Sequence, residues 1–165
     1  TVRQLSEELR DELLARLLTA APSFFESAVV KLLEAMNYGG SQENAGKITG
    51  KPGDGGLDGV IDGDPLGLDR VYIQAKRYKV ENKIGSPDVQ AFYGAVSGAK
   101  ASKGVFVTTS DFTAAAKLVA ESAHIKLVLI NGERLAQLMD EQLEGKIFDR
   151  DSALKRAGEL AGKRA

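Results

Sequence analysis

The chain has no cysteine, which excludes disulfides, thiolate metal sites, iron–sulfur clusters and thiol nucleophiles, and fits a reducing compartment such as the cytoplasm. It has one histidine, His124, so a triad, a His-rich zinc site or a His-dependent nuclease would have to be built around a single imidazole. Placed just before an apolar run, His124 reads as a loop residue. An excess of one charge is also missing: 22 Lys and Arg against 23 Asp and Glu leave a net charge of −1. No global field therefore draws the chain to a polyanion, and any phosphate-binding role must come from a local patch. No apolar run approaches the ~20 residues of a membrane helix, and the N-terminus lacks the basic-then-apolar order of a signal peptide. The expectation is a soluble protein with no membrane partner. What remains is 165 residues with 43% apolar content, enough for one domain with a substantial core. The first residue, Thr1, already falls inside a helical pattern, which reads as a piece of a longer protein.

Leu5, Leu9, Leu13, Leu14, Leu17 and Leu18 recur at helical spacing and predict an amphipathic lead-in helix within residues 1–21. Pro22 breaks it and Ser23 can cap a second helix. The apolar face of that helix is Phe25, Ala28, Val29, Leu32, Leu33 and Met36, and Gly39–Gly40 stops it. From residue 45 to 76 the period becomes alternating and β-branched, with turn signals at Pro52–Gly56 and Gly63–Gly67. These predict three short strands in a meander. Ser86 and Pro87 read as a cap and a first-turn proline for a helix reaching about Lys100. "KGVFVTTS", "DFTAAAKLVAESA", "KLVLI" and "NGERLAQLMDEQL" then alternate strand and helix. That order implies parallel pairing, so the sheet is mixed and the fold class α/β, with one main unit over 22–140. Residues 141–165 read as a polar, helix-prone tail.

Two stretches carry polar groups where a plain element would not. "GDGGLDGVID" (53–62) packs glycines and aspartates around aliphatic residues, and "YIQAKRY" (72–78) places Gln74 and Lys76 two apart in an otherwise apolar strand. Residues i and i+2 of a strand share a face, so Tyr72, Gln74 and Lys76 project together while Ile73 and Ala75 enter the core. A hairpin through Asp62–Gly67 would bring the strand around Leu57–Ile61, and with it Asp58, to the same edge. A carboxylate, a second oxygen ligand and an ammonium suit Mg²⁺-assisted phosphodiester hydrolysis, because oxygens hold a hard cation and an ammonium orients water or offsets developing charge. Arg70, Lys76, Arg77, Lys79 and Lys83 outnumber Asp69 and Glu81 here, as a phosphate-tracking surface requires.

"FFESAVVKLLEAMNYG", "GDGGLDGVI", "YIQAKRY", "SPDVQAFYGA", "KGVFVTTSDFTAAA" and "LINGERLAQLM" stand in that order over about residues 22–140. Together they resemble the catalytic domain of the Mrr family of restriction endonucleases, within the PD-(D/E)XK nuclease superfamily, with Gln in place of the usual second acid. The resemblance implies a restriction-endonuclease-like fold and a type IV-like endonuclease often directed at modified DNA. It also implies use of Mg²⁺, with Mn²⁺ as a substitute, and a catalytic set at Asp58, Gln74 and Lys76. Asp58 and Gln74 would hold the metal, joined by Glu26, the position matching a helical Glu of many relatives. Arg77, Lys79, Lys83, Ser86 and Gln90 are the candidate contacts to double-stranded DNA. In such proteins target reading usually belongs to a separate domain, which these residues do not include. Cutting both strands asks for two sites and so for a homodimer.

Plainer readings compete. Asp58 could simply belong to a turn, and Lys76 could be an edge-strand lysine that discourages aggregation. Ser23–Phe24–Phe25–Glu26 is also a capping box, in which Glu26 would serve only the helix end. Ser86 and Gln90 could be an ordinary cap and a surface amide, and Lys79 and Lys83 merely solvated. A phosphate loop in "GKITGKPG" fails on its spacing and on Pro52, and a calcium loop from Asp62 fails because Ile73 stands where a bidentate Glu belongs. A DNA-binding or sensing module without turnover, and a nuclease acting on RNA, remain as alternatives.

Overall fold

The computed structural model describes residues 2–36, 46–48 and 57–143. In chain order these form α1 (Val2–Thr19), α2 (Pro22–Ala35), β1 (Gly46–Ile48), β2 (Gly59–Asp62), β3 (Arg70–Lys76), α3 (Ser86–Gly98), β4 (Lys103–Thr108), α4 (Ala114–Ser122), β5 (Lys126–Ile130) and α5 (Gly132–Leu143). The sheet has five strands in the order β1-β2-β3-β4-β5. β1, β2 and β3 pair antiparallel as the expected meander, and β3, β4 and β5 pair parallel through α3 and α4. The mixed sheet read from the alternation of elements is the one observed. Gly39–Gly40, the turn at Pro52–Gly56, the "GKITGKPG" loop beyond Ile48 and the tail after Leu143 lie outside the described residues.

Two apolar layers flank the sheet. On one face Leu13 and Leu17 of α1, Phe25, Val29 and Leu33 of α2, and Leu135 and Leu138 of α5 pack on Ile61, Val71, Ile73, Val105 and Val107. On the other, Val89, Phe92 and Val96 of α3 and Ala116 of α4 pack on Phe106 and Leu127. Phe106 stacks edge-on with Phe92 and Phe112, ring centroids 5.3 and 5.5 Å apart. The alternation of Val71, Ile73 and Ala75 against Tyr72 follows from the two-residue period of a strand, and it sends each set to a different layer. α1 is built into this core rather than merely leading to it, and Arg10 ties it to Asp140 of α5 at 3.1 Å.

Two caps differ from expectation. α2 starts at Pro22 with Ala21 as its N-cap, and α3 starts at Ser86 with Gly85 as its N-cap; neither has a side-chain cap bond. In both cases the proline, lacking an N–H and preset in φ, fits the first turn, so the serine beside it falls inside the helix. The helices that do carry side-chain caps are α4, where Thr113 accepts from Ala116 N–H at 3.1 Å, and α5, where Asn131 accepts from Arg134 N–H at 2.9 Å.

Candidate active site on the β2–β3 hairpin

The hairpin register is set by one aspartate in the turn. The Asp64 carboxylate accepts from the N–H groups of Leu66, Leu68 and Asp69 at 2.8, 3.1 and 2.5 Å. These bonds, led by that from Leu68, hold its pKa below the usual carboxylate value. Gly67 takes φ +70, a left-handed conformation that glycine adopts without strain. The residues first weighed as the start of a calcium loop thus form a self-satisfied turn. The turn closes the register Gly59↔Ile73 through Asp62↔Arg70; one step further along it, Asp58 stands across from Gln74.

Asp58 leaves the ladder while staying bound to β3. Its N–H donates to the Ile73 carbonyl at 2.8 Å, and its carboxylate accepts from the Ala75 N–H at 2.7 Å. The second bond ties the carboxylate to the backbone of the residue between Gln74 and Lys76, so Asp58 is brought to the segment of β3 that carries both. Glu26 approaches from α2. Burial first, and then the charge of Asp58, push its pKa above the ordinary 4.5, because both disfavour the ionised carboxylate. Because the N-cap of α2 is Ala21, two residues before Ser23, Ser23 and Glu26 do not form that box.

Gln74 is only 9% exposed, and its Oε1 is buried without a hydrogen-bond partner. Its neighbour across the parallel register is the fully buried Phe106. An amide can be kept in such a setting at far lower cost than a second ionised carboxylate. Lys76 reaches the other way. Its Nζ lies 3.1 Å from Asp88 Oδ1, in the first turn of α3, and 5.8 Å from the Tyr78 ring centroid. Partial burial lowers the lysine pKa, but the Asp88 bond and charge, with Tyr78, outweigh it and hold the value above 10.5. Thr109 fixes Tyr78 by accepting from its N–H at 2.8 Å and donating to its carbonyl at 2.6 Å.

Sequence reasoning did not single out Asp88, Tyr78 or Thr109. Asp88 lay in plain view in "SPDVQ", but its link to Lys76 depends on where the loop after β3 delivers α3. The proposed DNA contacts divide. Lys79 and Lys83 are exposed between β3 and α3, and Ser86 and Gln90 lie four apart on α3, hence on one helical face. Arg77 instead turns toward α1: its Nη1 donates to the Leu18 carbonyl and its Nε is buried without a partner. That guanidinium serves a helix C-terminus rather than a solvent-facing phosphate track.

The donor set can be tested for a metal. Among the described residues no group of three or more His, Cys, Asp and Glu is placed to hold an ion. Two carboxylates, Asp58 and Glu26, are close enough to interact, and Gln74, at the strand position after the one paired with Gly59, carries an unpartnered buried amide oxygen. All are hard oxygen donors, and an orphaned buried oxygen is relieved by coordination, so the set fits Mg²⁺ and offers nothing to a soft metal.

A three-layer α/β domain with its carboxylate, amide and lysine on the second and third strands of a mixed sheet is a restriction-endonuclease-like domain. Two solved structures share that fold. AspBHI, a DNA modification-dependent restriction endonuclease, matches with a TM-score of 0.69 and 18% identity over 98% of this chain and 41% of its own. The MspJI restriction endonuclease, solved with a 27-mer oligonucleotide, matches with a TM-score of 0.63 and 22% identity over 93% and 36%. The restriction endonuclease family model of the Mrr catalytic domain matches residues 17–139, and the chain belongs to that family. It is 46% identical over 144 residues to EcoKMrr, a type IV methyl-directed restriction enzyme of Escherichia coli strain K12. The match covers 87% of this chain and 46% of that enzyme, so the chain spans about half the length of this curated relative.

Proposed function

We propose that this domain is a Mg²⁺-dependent endonuclease that hydrolyses phosphodiester bonds of double-stranded DNA, as the catalytic part of a type IV restriction system directed at modified DNA. The observation that carries the reading is the Asp58 carboxylate held on the N–H of Ala75, the residue between Gln74, whose Oε1 is buried and orphaned, and Lys76. Asp58, Gln74 and Glu26 would hold the cation, which, when bound, supplies Lewis-acid stabilisation of the scissile phosphate. Asp58 stays in place because β3 donates to it. Gln74 contributes oxygen without adding charge, and Phe106 keeps water from its other side. Lys76 orients the attacking water or offsets charge gathering on the phosphorus oxygens. Asp88 and Tyr78 keep that ammonium protonated and aimed.

Lys79, Lys83, Ser86 and Gln90 line the approach and would contact phosphates. Such contacts position a duplex without reading its sequence, so binding by this domain should be weak, salt-sensitive and indifferent to sequence. Target choice then belongs to a separate DNA-reading domain, and scission of both strands to a homodimer. The test is a plasmid nicking and linearisation assay with Mg²⁺ and then Mn²⁺, with Asp58→Ala as control. Metal-dependent cutting that the variant loses supports the reading. Salt-sensitive DNA binding without cutting under either metal would replace it with a DNA-binding module that has lost turnover, a reading that the neutral Gln74 keeps in view.

A further inference from the structure

The two faces of the sheet differ in surface charge. Gln74 and Lys76 share a strand face with Tyr72, which packs against the cluster of Phe92, Val96 and Phe106, so they open into the layer of α3 and α4. In the opposite layer, among the described residues of α1, α2 and α5, exposed acids outnumber exposed bases, with Glu7, Glu8 and Asp11 close together on α1. Such a surface repels phosphate. Arg77, on that side, is committed to the Leu18 carbonyl. From the end of β3 to the end of α4 the balance reverses, and exposed lysines outnumber exposed acids.

A short strap aligns the starts of α3 and α4. Ile84 forms a parallel bridge with Phe112, its N–H donating to the Asp111 carbonyl at 2.8 Å and its carbonyl accepting from the Thr113 N–H at 2.9 Å. Lys83 is thereby fixed beside the entry to α4. Lys117, whose N–H donates to the Thr113 carbonyl at 3.1 Å, follows one helical turn later. Asp111 is the common neighbour of the two lysines. Its Oδ1 accepts from Asn131 Nδ2 at 3.1 Å and from the Phe112 N–H at 2.8 Å. These bonds, and after them the charges of Lys117 and Lys83, hold its pKa down. Both ammonium groups thus lie near one carboxylate, yet among the described residues neither is hydrogen-bonded or ion-paired. Both lysines are exposed.

We propose that duplex DNA lies across the starts of α3 and α4, with Lys117 as a phosphate contact that continues the track of Lys79 and Lys83; the identity of the partner rests on the nuclease reading. Because Asn131 and the Phe112 N–H already satisfy Asp111, the two ammonium groups keep their donors for phosphate oxygens. The exposed residues that open the two helices, Pro87, Ala114 and Ala115, are small, so a duplex can come close. A contact at Lys117 reads no base. It fixes the register of the backbone, and with it which phosphodiester is presented to Asp58 and Lys76.

Fluorescence anisotropy of the whole chain on a labelled unmodified duplex, without metal and from about 50 to about 200 mM salt, tests this. Lys117→Ala should weaken binding several-fold and lower the slope of log affinity against log salt by about 0.9, the share of one phosphate contact. Lys117→Glu should weaken it at least about tenfold. Lys31→Ala removes the same charge from an exposed position on α2 and should change neither affinity nor slope. Lys117→Ala binding like the parent, Lys31→Ala losing as much as Lys117→Ala, or a parent that binds no duplex would overturn the proposal. A parallel plasmid assay keeps the two readings apart. Cutting by the parent with unchanged binding in Lys117→Ala sinks the track and leaves the nuclease; the expected binding losses with no cutting by any form leave the track and sink the nuclease.

Discussion

Replacing Gln74 by Glu separates the metal-ligand role of this position from a purely structural one. Oε1 of Gln74 is buried, unpartnered and beside Phe106, with Asp58 across the hairpin. A carboxylate there would be desolvated and repelled by Asp58, so the metal-free variant should lose about 1–3 kcal/mol of stability. For a chain of this size that is a fall of about 2–12 °C in Tm. Added Mg²⁺ supplies the missing charge. If the unmodified site binds only in the millimolar range, 10 mM Mg²⁺, roughly its Kd, stabilises it by about 0.4 kcal/mol. If the second carboxylate tightens Kd to about 0.1 mM, the same Mg²⁺ stabilises the variant by about 2.7 kcal/mol, or about 5–10 °C. Differential scanning fluorimetry with and without Mg²⁺ reads both numbers, and cutting should persist in the variant. A variant as stable as the parent without metal, gaining no more from Mg²⁺ than the parent does, would refute the placement of Gln74 at a metal.

Asp58→Ala and Lys76→Ala should each reduce plasmid cutting by about 10³-fold or more while leaving DNA retention in gel shifts largely intact; the first should also lose about 1–2 kcal/mol in urea melts, because the Ala75 N–H loses its acceptor. Glu26 is held above 4.5 by burial and then by Asp58, so its stabilising contribution is complete below that value and is lost as pH rises through the raised folded pKa. Without metal, Glu26→Gln should therefore gain stability relative to the parent between about pH 4 and about pH 7, and a difference between the two proteins that does not change with pH in urea melts would remove Glu26 from the Asp58 neighbourhood. At Gly132 an added Cβ would lie 2.2 Å from the Thr109 carbonyl oxygen, so Gly132→Ala must push α5 off the end of β4 and should cost about 1–3 kcal/mol in thermal melts.

The order of elements, the mixed sheet and the shared face of Gln74 and Lys76 were all legible in the residue string. Each rests on local periodicity and turn chemistry: the two-residue alternation of "VYIQAK", the Asp and Gly of the hairpin turn, the apolar runs too short for anything but buried strands. What needed three dimensions was every relation between residues distant along the chain. The capping box at Ser23 and Glu26 was a sound local pattern, overruled because Pro22 took the first helical position. Arg77 looked like part of a basic track until the packing of α1 supplied the Leu18 carbonyl. Asp88 became the partner of Lys76, and Glu26 the neighbour of Asp58, only through the paths of the loop after β3 and of α2 over the sheet. A sequence specifies the spacing of side chains along one element through fixed backbone geometry, whereas desolvation and charge pairing depend on which elements pack together, and those contacts decided how the groups at this site behave.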